Sequence, residues 1–402
     1  MARAPIIDPA RDAAALLRRL GFAVLVLVLP FVALFSRRGV VLFLPIGVAL
    51  LVIASVLDGA FRPLRDSADR LSRSAGVLAA VFGFGWAVLS LLWSPAVSLS
   101  GERLLGLSGS LALGVAAYLS LPDRMRAANL YLIPVGAAVA AIAVVVSTFA
   151  LPGASDLEGE GRNLARGLTV IALLTWPSIA WLRSRNRDLG AIFLVLAIAL
   201  ATLVGPEPAI SAAFAAGALA YVVVALAPAT GILLARIILP GIVLLAPLLP
   251  VLLAPVAGLL PDGGAFSGAL AAWKTLVLAE PARLVTGHGF GSFLLARIAG
   301  TLPPGTPDTP LVQVWYDLGA VGALAIAASI WAGLRGAATS YAPLLPGVVG
   351  AFTAAFSLAC AGVGSGQAWW PASLVVLVIA FVAAQRGQFR TRRPRARDLA
   401  GV

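Results

Sequence analysis

Gly287-His-Gly-Phe-Gly291 and Pro307-Asp-Thr-Pro310 stand in a stretch, Gly258–Pro310, that cannot lie in a bilayer. The stretch opens with Pro261-Asp-Gly-Gly264 and carries Trp273-Lys274 before the glycine run. It holds the only His of the chain, His288, and the only Lys, Lys274. Everything on either side of it reads as membrane helix, so a chemical centre is expected here.

The surrounding runs decide the fold. The chain has 402 residues, 60% of them hydrophobic and 11% charged, against roughly 25% charged in a soluble domain. Apolar runs long enough to cross a bilayer recur along it. Each must be a helix, because a lone strand would leave its backbone N–H and C=O groups unpaired in lipid. The expectation is an all-α polytopic protein, a single membrane domain over 1–402. Spans are expected near 21–36, 39–57, 76–93, 104–121, 129–150, 166–183, 190–204, 208–227, 231–255, 311–334, 343–362 and 370–385. That is about twelve, with one large loop, 256–310, between the ninth and the tenth. The first run follows a basic tail, 1–20, and lacks a small-residue cleavage site, so it reads as a retained helix. The ninth holds Pro240, Pro247, Pro250 and Pro255; proline removes a backbone donor, so a kink or break is expected there.

A formal net charge of +12 raises the question of nucleic acid. The charge is arginine in short loops and tails, which is the pattern of a topology signal, and nucleic acid is excluded as a partner. Arg62, Arg65, Arg70 and Arg73, then Arg124 and Arg126, then Arg183-Ser-Arg-Asn-Arg187, then the basic tail 386–402 all fall on one side of a twelve-span chain. That side reads as cytoplasmic and holds both termini. Arg37 and Arg38 are the exception, on the outer side of a short hairpin. One Cys and one His exclude an internal disulfide and make a Cys- or His-based metal centre an unsuitable reading. No metal or cofactor is expected.

Several outer-side residues can carry chemistry. Arg166 sits where the loop Asp156-Leu-Glu-Gly-Glu-Gly-Arg-Asn163 meets a span. Its planar fork of donors suits phosphate, or it snorkels to headgroups or pairs with Glu158 or Glu160. His288, between glycines, can take a proton from an attacking hydroxyl, donate to a phosphate, or close a turn. Asp308 can act as a base if burial raises its pKa, or cap the following helix or turn. Lys274, Arg283 and Arg297 can gather around a diphosphate or touch lipid headgroups. Trp315, Tyr316, Trp369 and Trp370 read as interfacial anchors. The glycines around His288 allow a tight turn and close approach of a substrate.

Four pieces of this chain together resemble the O-antigen ligase and polymerase family of bacterial membrane glycosyltransferases, the C-type fold. They are Trp93-Ser-Pro95 to Arg103; Arg162-Asn-Leu-Ala-Arg-Gly-Leu-Thr169 leading to Leu174-Thr-Trp-Pro177; Ser267 to Trp273 with Pro281 and Gly287–Gly291; and Gln313-Val-Trp-Tyr-Asp-Leu-Gly-Ala-Val-Gly322. The resemblance implies a metal-independent, inverting transfer at the periplasmic face of the inner membrane. The donor would be a glycan on undecaprenyl diphosphate, and the acceptor lipid A-core or another glycan. It carries Arg166 over as a diphosphate ligand; Arg162, in the same piece, is a further candidate for the diphosphate. Two positions depart from the family: Ala269 stands where an Arg is common before the loop Trp, and Asp308 where the family has a His. His288 or Asp308 would then be the base, with His288 preferred, and Arg297, Arg283 or Lys274 would supply the missing charge. Ligase and polymerase differ only in acceptor. A non-catalytic scaffold of a polysaccharide assembly complex and a lipid-linked glycan transporter are the rival classes; the near absence of mid-span charges speaks against the transporter.

Overall fold

Prolines and glycines set where the helices begin, bend and stop. The computed structural model describes residues 9–36, 38–59, 61–150, 158–257 and 263–388. Expectations about the first residues of the basic tail 1–20, Arg37, Asp156, Pro261 and most of the basic C-terminal tail lie outside these, as do those about the side chains of Arg62, Glu158 and Glu160. Among the described residues the chain is mainly helical, with no strand. Eleven helices there are long and apolar enough to cross a membrane. The protein is therefore a polytopic, all-α membrane protein.

The helices are α1 (Pro9–Ala33), α2 (Gly39–Leu57), α3 (Phe61–Ser72), α4 (Ala75–Trp93), α5 (Val97–Ser120), α6 (Ala127–Phe149) and α7 (Glu158–Ser184). Then come α8 (Asp188–Leu203), α9 (Pro208–Leu226), α10 (Pro228–Pro255), α11 (Gly263–Ala279), α12 (Arg283–Thr286) and α13 (Ser292–Ile298). The chain closes with α14 (Pro310–Ser340), α15 (Ala342–Cys360) and α16 (Trp369–Arg386). The seventh expected span, α8, has 16 residues, about 24 Å at 1.5 Å per residue, short of a full crossing length. It nevertheless follows α7 back along its course: it starts at the Arg183–Asp188 ion pair, and Gly205, just beyond it, packs on Leu168.

The central column is α7, whose apolar portion is almost wholly enclosed. Lipid tails are as apolar as side chains, so helices in a bilayer associate through close packing rather than water exclusion. Glycine supplies that closeness here. A Cβ at Gly217 would lie 2.5 Å from the Trp176 ring, and one at Gly350 2.8 Å from it. These two glycines bring α9 and α15 onto α7.

The loops sort to two ends. Arg18 pairs with Asp58, and Ala127–Leu130 touches the helix that carries Arg18. Arg70 lies 3.6 Å from Asp123. Arg386 donates to the Leu121 carbonyl and accepts from Met125 N at 3.0 Å, while Arg185 donates to Gly387 O. The described parts of the basic segments thus share one end. At the other end the α1–α2 hairpin, with Arg38, packs through Leu34 on Gly167 beside Arg166. The described part of the large loop and the turn 361–368 also lie there, Gly362 packing on Asp308 O.

The break expected in α10 occurs, and its cause is visible. The helix runs regularly to Leu245, tightens over Ala246–Leu248 and resumes at Leu249. Helical Val243 would bond the N–H of residue 247, and Ala246 that of residue 250, but both are proline and have none. Indoles reach both carbonyls: Trp315 Nε1 donates to Val243 O at 2.7 Å, and Trp273 Nε1 donates at 2.9 Å to Ala246 O, which also accepts from Leu249 N in the tightened turn. Trp315 and Trp273 are therefore internal ties. Trp369 is likewise buried rather than an interfacial anchor.

Candidate active site at the glycine loop

The site begins with a second helix break. Within α14, Gly319 has φ 63° and ψ −159°, a conformation a side chain would resist. A Cβ there would also meet Val285 O at 2.5 Å. The interruption releases carbonyls just upstream, and buried carbonyls need donors. Tyr316 O accepts from His288 N at 2.8 Å, Asp317 O from Gly289 N at 2.9 Å, and Leu318 O from Trp86 Nε1 at 3.0 Å. The broken helix thus serves as a template for the loop after α12.

The loop glycines answer to packing. Gly287, Gly289 and Gly291 have φ of 72°, 97° and 82°. A Cβ on them would come 2.2 Å from Asp317 O, 2.6 Å from Ser94 Cα and 2.5 Å from Ser100 Oγ respectively. The run is pressed between α14 and the α4–α5 turn, so the close approach its glycines permit is to these helices rather than to a substrate. Serines pin the loop: Phe290 N donates to Ser90 Oγ at 3.0 Å, and Ser94 Oγ donates to Phe290 O at 3.1 Å. Buried Asp317 accepts from Gly291 N at 2.9 Å and Phe293 N at 2.7 Å. Its carboxylate thereby holds the start of α13 against α14.

This frame fixes His288. Its ring lies flat on Tyr316, 4.1 Å between centroids and 8° between planes. Nδ1 is 3.0 Å from Tyr316 O; a carbonyl only accepts, so Nδ1 carries the proton. Nε2 faces Glu280 Oε2 at 3.3 Å on the part-exposed side of the ring; a carboxylate also only accepts, so Nε2 can take a proton from another group once Glu280 has left it. Glu280 also faces Arg283 at 3.8 Å.

A second cluster adjoins it. Arg297 pairs with Asp308, whose Oδ1 accepts from Gln313 Nε2 at 2.8 Å and Ser365 Oγ at 3.2 Å. Asp308 does not cap the next helix; the neighbouring Thr309 does, its Oγ1 accepting from Val312 N at 3.3 Å. Arg103 Nη2 donates to Gly366 O at 3.3 Å in the same turn as Ser365.

The expected site residues therefore fall into groups. Glu280 joins His288 to Arg283, and Arg297 is joined to Asp308. Lys274 is exposed on α11 and makes no ion pair or hydrogen bond among the described residues. Arg166 is buried at the start of α7, with Nη1 donating to Asn163 Oδ1 at 2.6 Å. Arg162 is one turn away on the same helix. No described contact joins Arg166 to His288 or Arg297, although all three belong to the same end of the bundle. Sequence reasoning missed Glu280, Asp317 and Arg103, and read Tyr316 as an anchor. Asp317 alone left a signal, a carboxylate inside an apolar span.

Chemically, the site offers one oriented imidazole beside a carboxylate and several guanidinium groups, at the mouth of a membrane bundle. Compared with protein-family models, curated proteins and solved structures, the chain finds no match in any of the three.

Proposed function

We propose that the protein is an inner-membrane glycosyltransferase that moves a glycan from undecaprenyl diphosphate to a lipid or glycan acceptor at the periplasmic face. The reading counts α8 as a twelfth crossing, puts the basic end and both termini in the cytoplasm, and turns the glycine loop outward. The observation that carries it is the setting of His288: a backbone carbonyl fixes Nδ1–H, leaving Nε2 to accept a proton from an acceptor hydroxyl. Arg166, Arg162, Arg283, Arg297 and Lys274 are the cations offered to the diphosphate, whose growing negative charge they would offset as the glycosyl bond breaks. The hydroxyl attacks the anomeric carbon from the face opposite the diphosphate, which gives inversion. Glu280 must yield Nε2 to the incoming hydroxyl, and its exposed position allows that.

Within this reading Asp308 is the weaker candidate for the base, because Arg297, Gln313 and Ser365 already engage its carboxylate. The same engagement of Arg297, with that of Arg283 by Glu280, favours a second reading: a non-catalytic member of a polysaccharide assembly complex. Complementation of a deletion strain with His288→Ala and Arg166→Ala separates them. Loss of surface glycan with normal membrane protein level supports transfer, and wild-type glycan supports the scaffold. The glycolipid profile of the deletion strain separates polymerase, which leaves single repeats attached, from ligase, which leaves none.

A further inference from the structure

A cavity of about 760 Å³ opens at the basic end, away from the glycine loop, among α3, α5, α14, α15 and α16. Its wall changes character with depth. One to two helical turns inside, Gly333, Gly336, Phe352 and Val378 make it apolar. At the helix ends Tyr118, Tyr341 and Arg386 line it, with Arg70 and Asp123 beside them.

The polar part favours an anion. Asp123 is the only acid lining the cavity, and it faces Arg70 at 3.6 Å. Among the described residues that leaves Arg386 without an acidic partner. The Arg386 guanidinium lies 4.9 Å from the centre of the Tyr118 ring and spends one nitrogen on Leu121 O. Among the described residues, neither the Tyr118 nor the Tyr341 hydroxyl makes a hydrogen bond to protein. Burial, then the neighbouring Tyr118, push the Tyr341 hydroxyl up to about 12 against the pull of Arg386, so it stays a neutral donor. A soluble anion needs no apolar wall, and an acyl chain needs no guanidinium; a membrane phospholipid uses both.

We propose that this cavity binds one anionic phospholipid from the leaflet at the basic end. Its phosphate sits between Arg386, Tyr118 and Tyr341, and one acyl chain lies along Gly333 and Gly336 against Phe352. The proposal is independent of the glycosyltransferase reading.

The test is native mass spectrometry of the full-length protein after incubation with phosphatidylglycerol or phosphatidylcholine vesicles. Gly336→Leu fills the chain channel without strain, since a Cβ there meets nothing within 4 Å. Tyr118→Phe/Tyr341→Phe removes two donors and keeps both rings. Wild type is expected to retain one phosphatidylglycerol in preference to phosphatidylcholine. Each variant, eluting as a monodisperse species, is expected to retain less: about a hundredfold or more for the tyrosine pair, the loss two hydrogen bonds to an ionised group represent, and at least about tenfold for Gly336→Leu, which takes the space of the chain. Undiminished retention in the tyrosine pair, or equal retention of phosphatidylcholine by wild type, overturns the proposal. So does stabilisation by inorganic phosphate alone equal to that by phosphatidylglycerol vesicles, which would mean a free anion. Should Gly336→Leu not fold, the tyrosine pair still decides.

Discussion

The imidazole of His288 rests face to face on the ring of Tyr316, and the Tyr316 carbonyl receives both the backbone N–H and Nδ1 of that same histidine. One residue of a broken membrane helix thereby sets the position, plane and tautomer of the only histidine in the chain.

If Nε2 removes the acceptor proton, His288→Ala should lower glycan transfer by about 10²- to 10⁴-fold, the range of a lost general base, with the protein still accumulating in the membrane. Tyr316→Ala keeps the carbonyl and loses the stack, of about 0.5–1.5 kcal/mol. Its transfer rate, read from radiolabelled lipid-linked donor, should fall between wild type and His288→Ala. Equal rates for wild type and His288→Ala would remove His288 from the chemistry.

Asp317→Asn should loosen the loop. An amide oxygen cannot replace two carboxylate oxygens as acceptors for Gly291 N and Phe293 N. A buried hydrogen bond contributes about 0.5–1.5 kcal/mol net, and part of that should be lost. Limited trypsin digestion should then cut faster at Lys274 and Arg283; an unchanged digestion rate would show that Asp317 does not hold the loop.

Gly319→Ala should be among the most destabilising single-methyl changes in the protein. It adds a Cβ at positive φ and places it 2.5 Å from Val285 O. Strain of about 1–3 kcal/mol is the expected scale for the backbone alone, seen as a lower melting temperature in detergent. Gly85→Ala, where a Cβ meets nothing within 4 Å, is the control and should melt like wild type.

Trp273→Phe should remove one of the two donors to Ala246 O and leave Leu249 N in place. The lost hydrogen bond is worth about 0.5–1.5 kcal/mol net. The readout is again thermal melting, and a stability equal to wild type would mean that the indole does not tie α11 to the break in α10.

Arg297→Gln removes an ion pair whose side chains are half exposed, so stability should change by no more than about 1 kcal/mol. A large loss of transfer with that small loss of stability would tie Arg297 to the donor. Unchanged transfer would confine it to holding Asp308.

Much of this was legible in the sequence. The membrane class follows from apolar runs, because a bilayer core admits only segments that satisfy their own backbone. The break in α10 was readable from its prolines, and the common end of the basic loops from arginine placement. The glycines of 287–291 were visible too, but their reason was not. Each faces a different distant neighbour, Asp317, Ser94 or Ser100, and no local pattern encodes which.

The amino-acid sequence by itself determined the helical membrane fold and the place of the unusual loop, since length, hydropathy and missing N–H groups are local properties. Tertiary structure alone decided which groups meet. It placed Glu280 on Nε2 of His288, set Arg297 on Asp308, sent two indoles to two carbonyls at the proline break, and kept Arg166 on a separate helix. Those pairings depend on how broken helices present their freed carbonyls to residues tens to hundreds of positions away, and that is a property of packing in three dimensions.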